Sequence, residues 1–262
     1  MGAGEKRTMG KSKNSEQRQC QPVVLMYHGI VSRTSASPPE REAGAGFYDV
    51  TAENFRAQME YLKTNGCTAQ RDVILTFDDG EMNNFEEALP MLKEFGFTGY
   101  FFIIAQRVGR QGYMGWEELR ALHEAGMVIG SHGFSHEILT NLQDTQIQEE
   151  LAASKKYLER NLEIAVESLS VPRGFCNDII LKMAYKAGYK SIFISERPAG
   201  LKSACLSRVA VKSHWLLRRF IQAMDGRTPA GERIFEFSKN GFKQIGGGAL
   251  YDWMRRMMLK IK

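Results

Sequence analysis

The sequence predicts an α/β fold in which short strands alternate with helices, giving a parallel sheet or a barrel. Three observations carry that expectation. The chain has 262 residues, of which 43% are hydrophobic and 25% charged, enough to bury one large core or two small ones. Short apolar runs recur along it, of the kind shown by strands buried on both faces. Between most of them lie segments whose apolar residues repeat at helical spacing. The same composition excludes a disordered, collagenous or disulfide-stapled chain.

Residues 1–21 read as a mobile basic tail rich in Gly, Lys, Ser, Asn and Gln. Val23 to Tyr27 then reads as the first strand, and Ser32 to Gly46, with Pro38-Pro39, as a loop. Thr51 is a candidate N-cap for a helix carrying Phe55, Met59 and Leu62 and stopped by Gly66. Strands are expected at Val73–Phe77, Thr98–Ile104, Met127–Ile129, Val166–Val171, Ser191–Ile194 and Leu206–Val211. Helices are expected at Phe85–Phe95, Trp116–Glu124, Thr145–Leu162, Asp178–Lys186 and from about His214 to Met224. The domain is expected over 22–225, with an extension over 226–262.

Cys20, Cys67, Cys176 and Cys205 are scattered without a CxxC pair, so free thiols are expected rather than a zinc ribbon or redox motif. No apolar run approaches the roughly 18 residues of a membrane span, and the polar N-terminus does not read as a signal peptide. The expected location is therefore cytoplasmic. The formal net charge is +5, which favours anionic partners, but the basic residues are dispersed and no nucleic-acid motif surrounds them.

Two strand ends carry chemistry. Leu75-Thr76-Phe77-Asp78-Asp79-Gly80 places adjacent carboxylates at the end of a hydrophobic strand, where their charges need a cation or hydrogen bonds. Ile129-Gly130-Ser131-His132-Gly133-Phe134-Ser135-His136 places two histidines four apart, which one helical turn would aim at a single point. Parallel strands bring their C-terminal ends to one face. One aspartate and both histidines can there form a three-ligand set with open positions, suited to zinc or another divalent first-row ion (cobalt, nickel or manganese). The other aspartate is left as a base.

Thr76–Gly80 and Ser131–His136, with the intervening Tyr100–Ile103 strand, resemble the first two motifs of the polysaccharide deacetylases (carbohydrate esterase family four, the NodB-homology domain). The resemblance runs from about Val23 to Val211. It implies a distorted (β/α) barrel, here of seven strands, that removes acetyl groups from N-acetylated sugars. It also implies metal ligation by Asp79, His132 and His136 and a base role for Asp78. The third motif is altered at Leu169–Gly174: Ser170 stands where the family usually has an arginine, and Arg173 where it has an aromatic residue. Pro172 and the Arg173 backbone N–H are candidates for contacting the substrate oxyanion, and Arg208 or Arg173 for supplying the missing charge. A fourth motif, an Asp before an aromatic, is absent, and the fifth is not clearly present. The general acid is therefore sought at His28, in a Tyr-His element ending the first strand, with His214 as the alternative.

Trp116 is a candidate sugar-stacking residue, set against a packing role. Residues 251–262 place Trp253, Met254, Met257, Met258 and Ile261 on one helical face and Arg255, Arg256, Lys260 and Lys262 on the other. That pattern suits contact with anionic membrane, set against packing on the barrel. The expected function is metal-dependent deacetylation of an N-acetylated glycan, either a polysaccharide or a lipid-linked precursor. The alternatives are a metal-binding pseudoenzyme and a hydrolase of a non-carbohydrate amide.

Overall fold

A computed structural model describes residues 21–35, 37–42, 44–195 and 200–227. The basic tail up to residue 20, with Cys20, and the amphipathic stretch 251–262 lie outside the described residues. In chain order the main elements are β1 (Val23–Tyr27), β2 (Ile30–Val31), β3 (Val50–Thr51), α1 (Ala52–Thr64), β4 (Val73–Phe77), α2 (Leu89–Phe95), β5 (Gly99–Ile103) and α3 (Trp116–Glu124). There follow β6 (Val128–Ser131), α4 (Asp144–Leu162), β7 (Ser168–Ser170), α5 (Asp178–Lys186), β8 (Ser191–Ile194), β9 (Leu206–Ser207), β10 (Val209–Ala210) and α6 (Leu217–Met224).

One sheet runs β10-β1-β4-β5-β6-β7-β8-β9 with every pairing parallel. It has eight strands rather than the expected seven, and the difference lies in one segment. Leu206 to Val211 does not form a continuous strand: Leu206 and Ser207 pair with β8, whereas Val209 and Ala210 pair with β1. Arg208, between them, donates its backbone N–H to the Ile194 carbonyl at 3.1 Å. The two ends of the sheet are thus one stretch of chain that switches partners at Arg208, and this closes the barrel.

The pleat divides the core in two. Leu25, Leu75 and Phe101 face outward into a large cluster with Phe55, Met59, Leu92, Leu119, Leu151 and Ile180 of the helices. Alternating with them, Val24, Ile74, Phe102 and Phe193 form a separate small cluster inside the barrel, with Tyr100 against it. Gly130 makes room for that layer: a Cβ there would lie 2.5 Å from the Phe102 ring and 3.0 Å from the Ser168 carbonyl oxygen.

The helices follow their local signals. Thr51 caps α1, its hydroxyl accepting from the Asn54 N–H at 3.2 Å. The expected helix over 85–95 begins instead as a π-type turn, Asn84–Ala88, before α2. Pro90 has no N–H to give the preceding turn, so the α-helical ladder starts afresh beside it. No helix among the described residues is long and apolar enough to cross a membrane. Cys67, Cys176 and Cys205 are free thiols.

A candidate metal centre at the barrel mouth

The site is assembled where β1, β4, β6, β7 and the β9–β10 junction end. Asp78 extends the β4 ladder, its N–H donating to the Tyr27 carbonyl at 3.0 Å. Asp79 and Gly80 then adopt left-handed backbone, φ 75° and 77°. For a non-glycine residue this is a strained conformation, held only where the surroundings impose it. The turn sends the two adjacent carboxylates to different partners. At the end of β6, the His132 N–H donates to the Ile103 carbonyl at 2.8 Å.

His132 and His136 do not sit on a helical turn, as their spacing suggests; the connecting segment is irregular. Gly133 and His136 both have positive φ, 78° and 70°, and these two reversals bring the rings together with centroids 4.7 Å apart. Glu150 of α4 holds the turn, accepting from the N–H groups of Phe134 and Ser135 at 3.0 Å each and from the Ser135 hydroxyl at 2.6 Å.

Asp79, His132 and His136 offer ligand atoms that all lie within 4.8 Å of one another. Asp79 Oδ1 is 3.6 Å from His132 Nε2 and 3.7 Å from His136 Nε2. Each imidazole is oriented through its other nitrogen. His132 Nδ1 donates to the Ser170 carbonyl at 2.8 Å and His136 Nδ1 to Glu42 Oε1 at 2.6 Å. The Ser170 carbonyl can only accept, so His132 Nδ1 holds the hydrogen and its Nε2 turns a lone pair inward, and Glu42 as a carboxylate imposes the same on His136. Burial, opposed by Asp78, pushes the His132 pKa down to about 4, so that ring is neutral in ordinary buffers. Asp79 Oδ1 is buried without a hydrogen-bond partner. An orphaned carboxylate oxygen facing two imidazole lone pairs is the donor set of a divalent first-row cation, so the residues fit such an ion.

Asp78 faces a different partner. Arg208 Nη1 donates to its Oδ1 at 2.7 Å and Nη2 to its Oδ2 at 2.8 Å. The Ser170 hydroxyl accepts from Arg208 Nη2 at 2.8 Å and donates to Asp78 Oδ2 at 3.2 Å. The Arg208 side chain is fully buried, and its guanidinium lies 5.6 Å from the Phe102 ring centroid, above the barrel's inner layer. Burial alone would raise the Asp78 pKa, but Arg208 and then His132 outweigh it and hold the carboxyl well below the usual range. Asp78 Oδ2 is 3.7 Å from His132 Nε2, so the oriented carboxylate borders the ligand cluster. Of the two candidates for the missing charge, Arg208 is thus the one that the structure pairs with Asp78.

The remaining candidates are placed as follows. His28 stacks on Tyr48 with ring centroids 4.8 Å apart, and its Nδ1 is buried without a partner. Pro172 sits beside the histidine turn, where a Cβ on Gly133 would lie 3.1 Å from its Cγ. Arg173 follows with left-handed backbone, φ 58°, and its side chain reaches Glu42 Oε2 at 2.9 Å. Trp116 packs edge-on against Tyr157 at 5.4 Å and against the core. His214 is exposed in the turn before Trp215, and the structure does not bring it into the cluster.

Two carboxylates that hold the site were not anticipated. Glu42 lies in a loop without a motif. Glu150 sits on α4 outside the apolar stripe, where a glutamate reads as solvated surface. Only its place, one helix on from the histidine motif, could have pointed to it.

Residues 65–192 match the family model described as polysaccharide deacetylase. The chain is 30% identical over 184 residues to the Bacillus subtilis (strain 168) protein YxkH, whose name places it among polysaccharide deacetylases. That match covers 64% of this chain and 62% of the relative. It is 31% identical over 137 residues to the peptidoglycan-N-acetylmuramic acid deacetylase PdaA of the same organism, covering 50% of this chain and 49% of that protein. The chain thus spans between about half and just under two thirds of the length of these relatives. Among solved structures, the Streptococcus pyogenes deacetylase PplD in complex with acetate superposes with a TM-score of 0.67 at 23% identity, over 79% of this chain and 99% of that one. The barrel is therefore shared, and the matched segment contains both aspartates, both histidines and the altered third motif. Over residues 65–192 the chain is similar to the polysaccharide deacetylases.

Proposed function

We propose that this chain hydrolyses the acetamide of N-acetylated hexosamine units in a glycan, with a divalent ion held by Asp79, His132 and His136. One observation carries the reading: three convergent ligand atoms stand beside a separately clamped carboxylate, Asp78, at the mouth of a deacetylase-type barrel. When bound, the ion supplies a Lewis acid that polarises the acetamide carbonyl and acidifies a water.

The chain's own groups complete the chemistry. Asp78, kept ionised and fixed by Arg208 and Ser170, takes a proton from the attacking water at the oxygen that borders His132. The Arg173 backbone N–H, in the turn opened by Pro172, donates to the oxygen on which negative charge develops. His28 protonates the departing nitrogen, which must leave as an amine. The Arg208 clamp favours an active enzyme over a pseudoenzyme, because the altered third motif no longer leaves the base without its cation. The name of PdaA supports an N-acetylated glycan as the substrate class.

Zinc-loaded protein should release acetate from N-acetylglucosamine oligomers. Asp78→Asn should reduce that release by at least about 100-fold, within the range for a positioned acid or base, while zinc still binds. Release unchanged by this substitution removes Asp78 from the mechanism.

A further inference from the structure

The loop segment Glu40–Arg41–Glu42 is pinned at three successive residues. Glu40 pairs with Arg110 at 2.8 Å on the surface. Arg41 is held by Asp49 and by the buried Glu81, the latter at 2.6 Å from its Nε. Glu42 reaches further in. Its Oε1 accepts from His136 Nδ1 at 2.6 Å and its Oε2 pairs with Arg173 at 2.9 Å. Nearby, Pro38 packs closely on Gly112, where a Cβ would lie 2.8 Å from the Pro38 Cα. The segment therefore rests on the site through defined contacts.

We propose that Glu42 is a positioning residue of the metal centre, one that fixes the tautomer and direction of His136 and is itself held by Arg173. The inference rests on the reading that Asp79, His132 and His136 hold a divalent ion. A carboxylate can only accept here, so the hydrogen stays on Nδ1 and the Nε2 lone pair is aimed at Asp79. A carboxylate partner also makes the imidazole a stronger donor to a cation than a carbonyl partner would. The arrangement accounts for the residue at position 173 as well. A guanidinium there secures the second oxygen of Glu42, so the altered third motif and the 40–42 loop are two halves of one support. Glu42 lies outside the family-matched segment 65–192, whereas His136 and Arg173 lie within it.

The test measures zinc affinity by competition with a chromogenic chelator and the d–d absorption of the cobalt-loaded protein, with folding checked by far-UV circular dichroism. Glu42→Ala should weaken zinc binding by about 10- to 100-fold, the usual effect of removing such a partner, and should alter the cobalt spectrum. Glu42→Gln, nearly isosteric and still an acceptor, should fold and lose part of that affinity. Glu40→Ala, on the same loop but paired at the surface, should leave both readouts unchanged. Wild-type affinity and spectrum in both Glu42 variants overturn the inference, as does an equal loss in Glu40→Ala. Failure of the wild-type protein itself to bind zinc or cobalt instead overturns the reading beneath it.

Discussion

Arg208 decides the state of Asp78. Both side chains are removed from solvent and joined by two parallel hydrogen bonds, so neither can lose the other without leaving a buried charge. Arg208→Ala should lower unfolding stability in urea by about 3–5 kcal/mol, the usual result of breaking a buried pair on one side, and should abolish acetate release. Arg208→Lys keeps the charge but not the planar fork; it should recover part of the stability and little of the activity. Wild-type stability and turnover in the alanine variant would show that the pair is incidental. The two aspartates and two histidines are legible in the sequence because each pair lies within one short motif that follows an apolar run. The cation beside Asp78 is legible only as one of two candidates, Arg208 or Arg173, since Arg208 stands 130 residues from Asp78 and no spacing rule joins strand ends across a barrel. Glu42 is hidden for a similar reason, 94 residues from His136.

At the scale of elements, the strands place the chemistry and the turns aim it. β1, β4, β8, α3 and α5 are legible to the residue, because apolar runs and capping signals are local properties of the chain. Two of the departures arise from tertiary demands. The segment Leu206–Val211 reads as one strand but must serve two neighbours, and it breaks where Arg208 turns inward. The histidine motif reads as a helical turn, yet Gly133 and His136 take positive φ and Glu150 satisfies the freed N–H groups. Packing inside the barrel is tested at Gly130, where a methyl group would overlap Phe102. Gly130→Ala should cost about 1–3 kcal/mol, as overpacking does, measured by urea denaturation. An unchanged midpoint would mean that the inner layer is loose enough to yield.

For the whole molecule, barrel closure links distant parts of the sequence into one mouth, where groups from residue 28 to residue 208 meet. The fold class is legible from alternation alone, whereas closure depends on the last segment reaching β1, a long-range event without a local signal. For the basic amphipathic stretch 251–262 we propose separately, from its sequence pattern alone, a contact with anionic lipid. Binding of the full chain to phosphatidylglycerol vesicles, lost on deleting residues 251–262, is the expected outcome, and absence of binding by the full chain rejects it. The account as a whole turns on a cation held by Asp79, His132 and His136. The most direct measurement is acetate release from N-acetylglucosamine oligomers before and after removal of divalent ions with a chelator, followed by their return. Release that disappears on stripping and is restored by stoichiometric zinc is expected. Full activity in the stripped protein would contradict the claim, as would a zinc-loaded protein that releases no acetate.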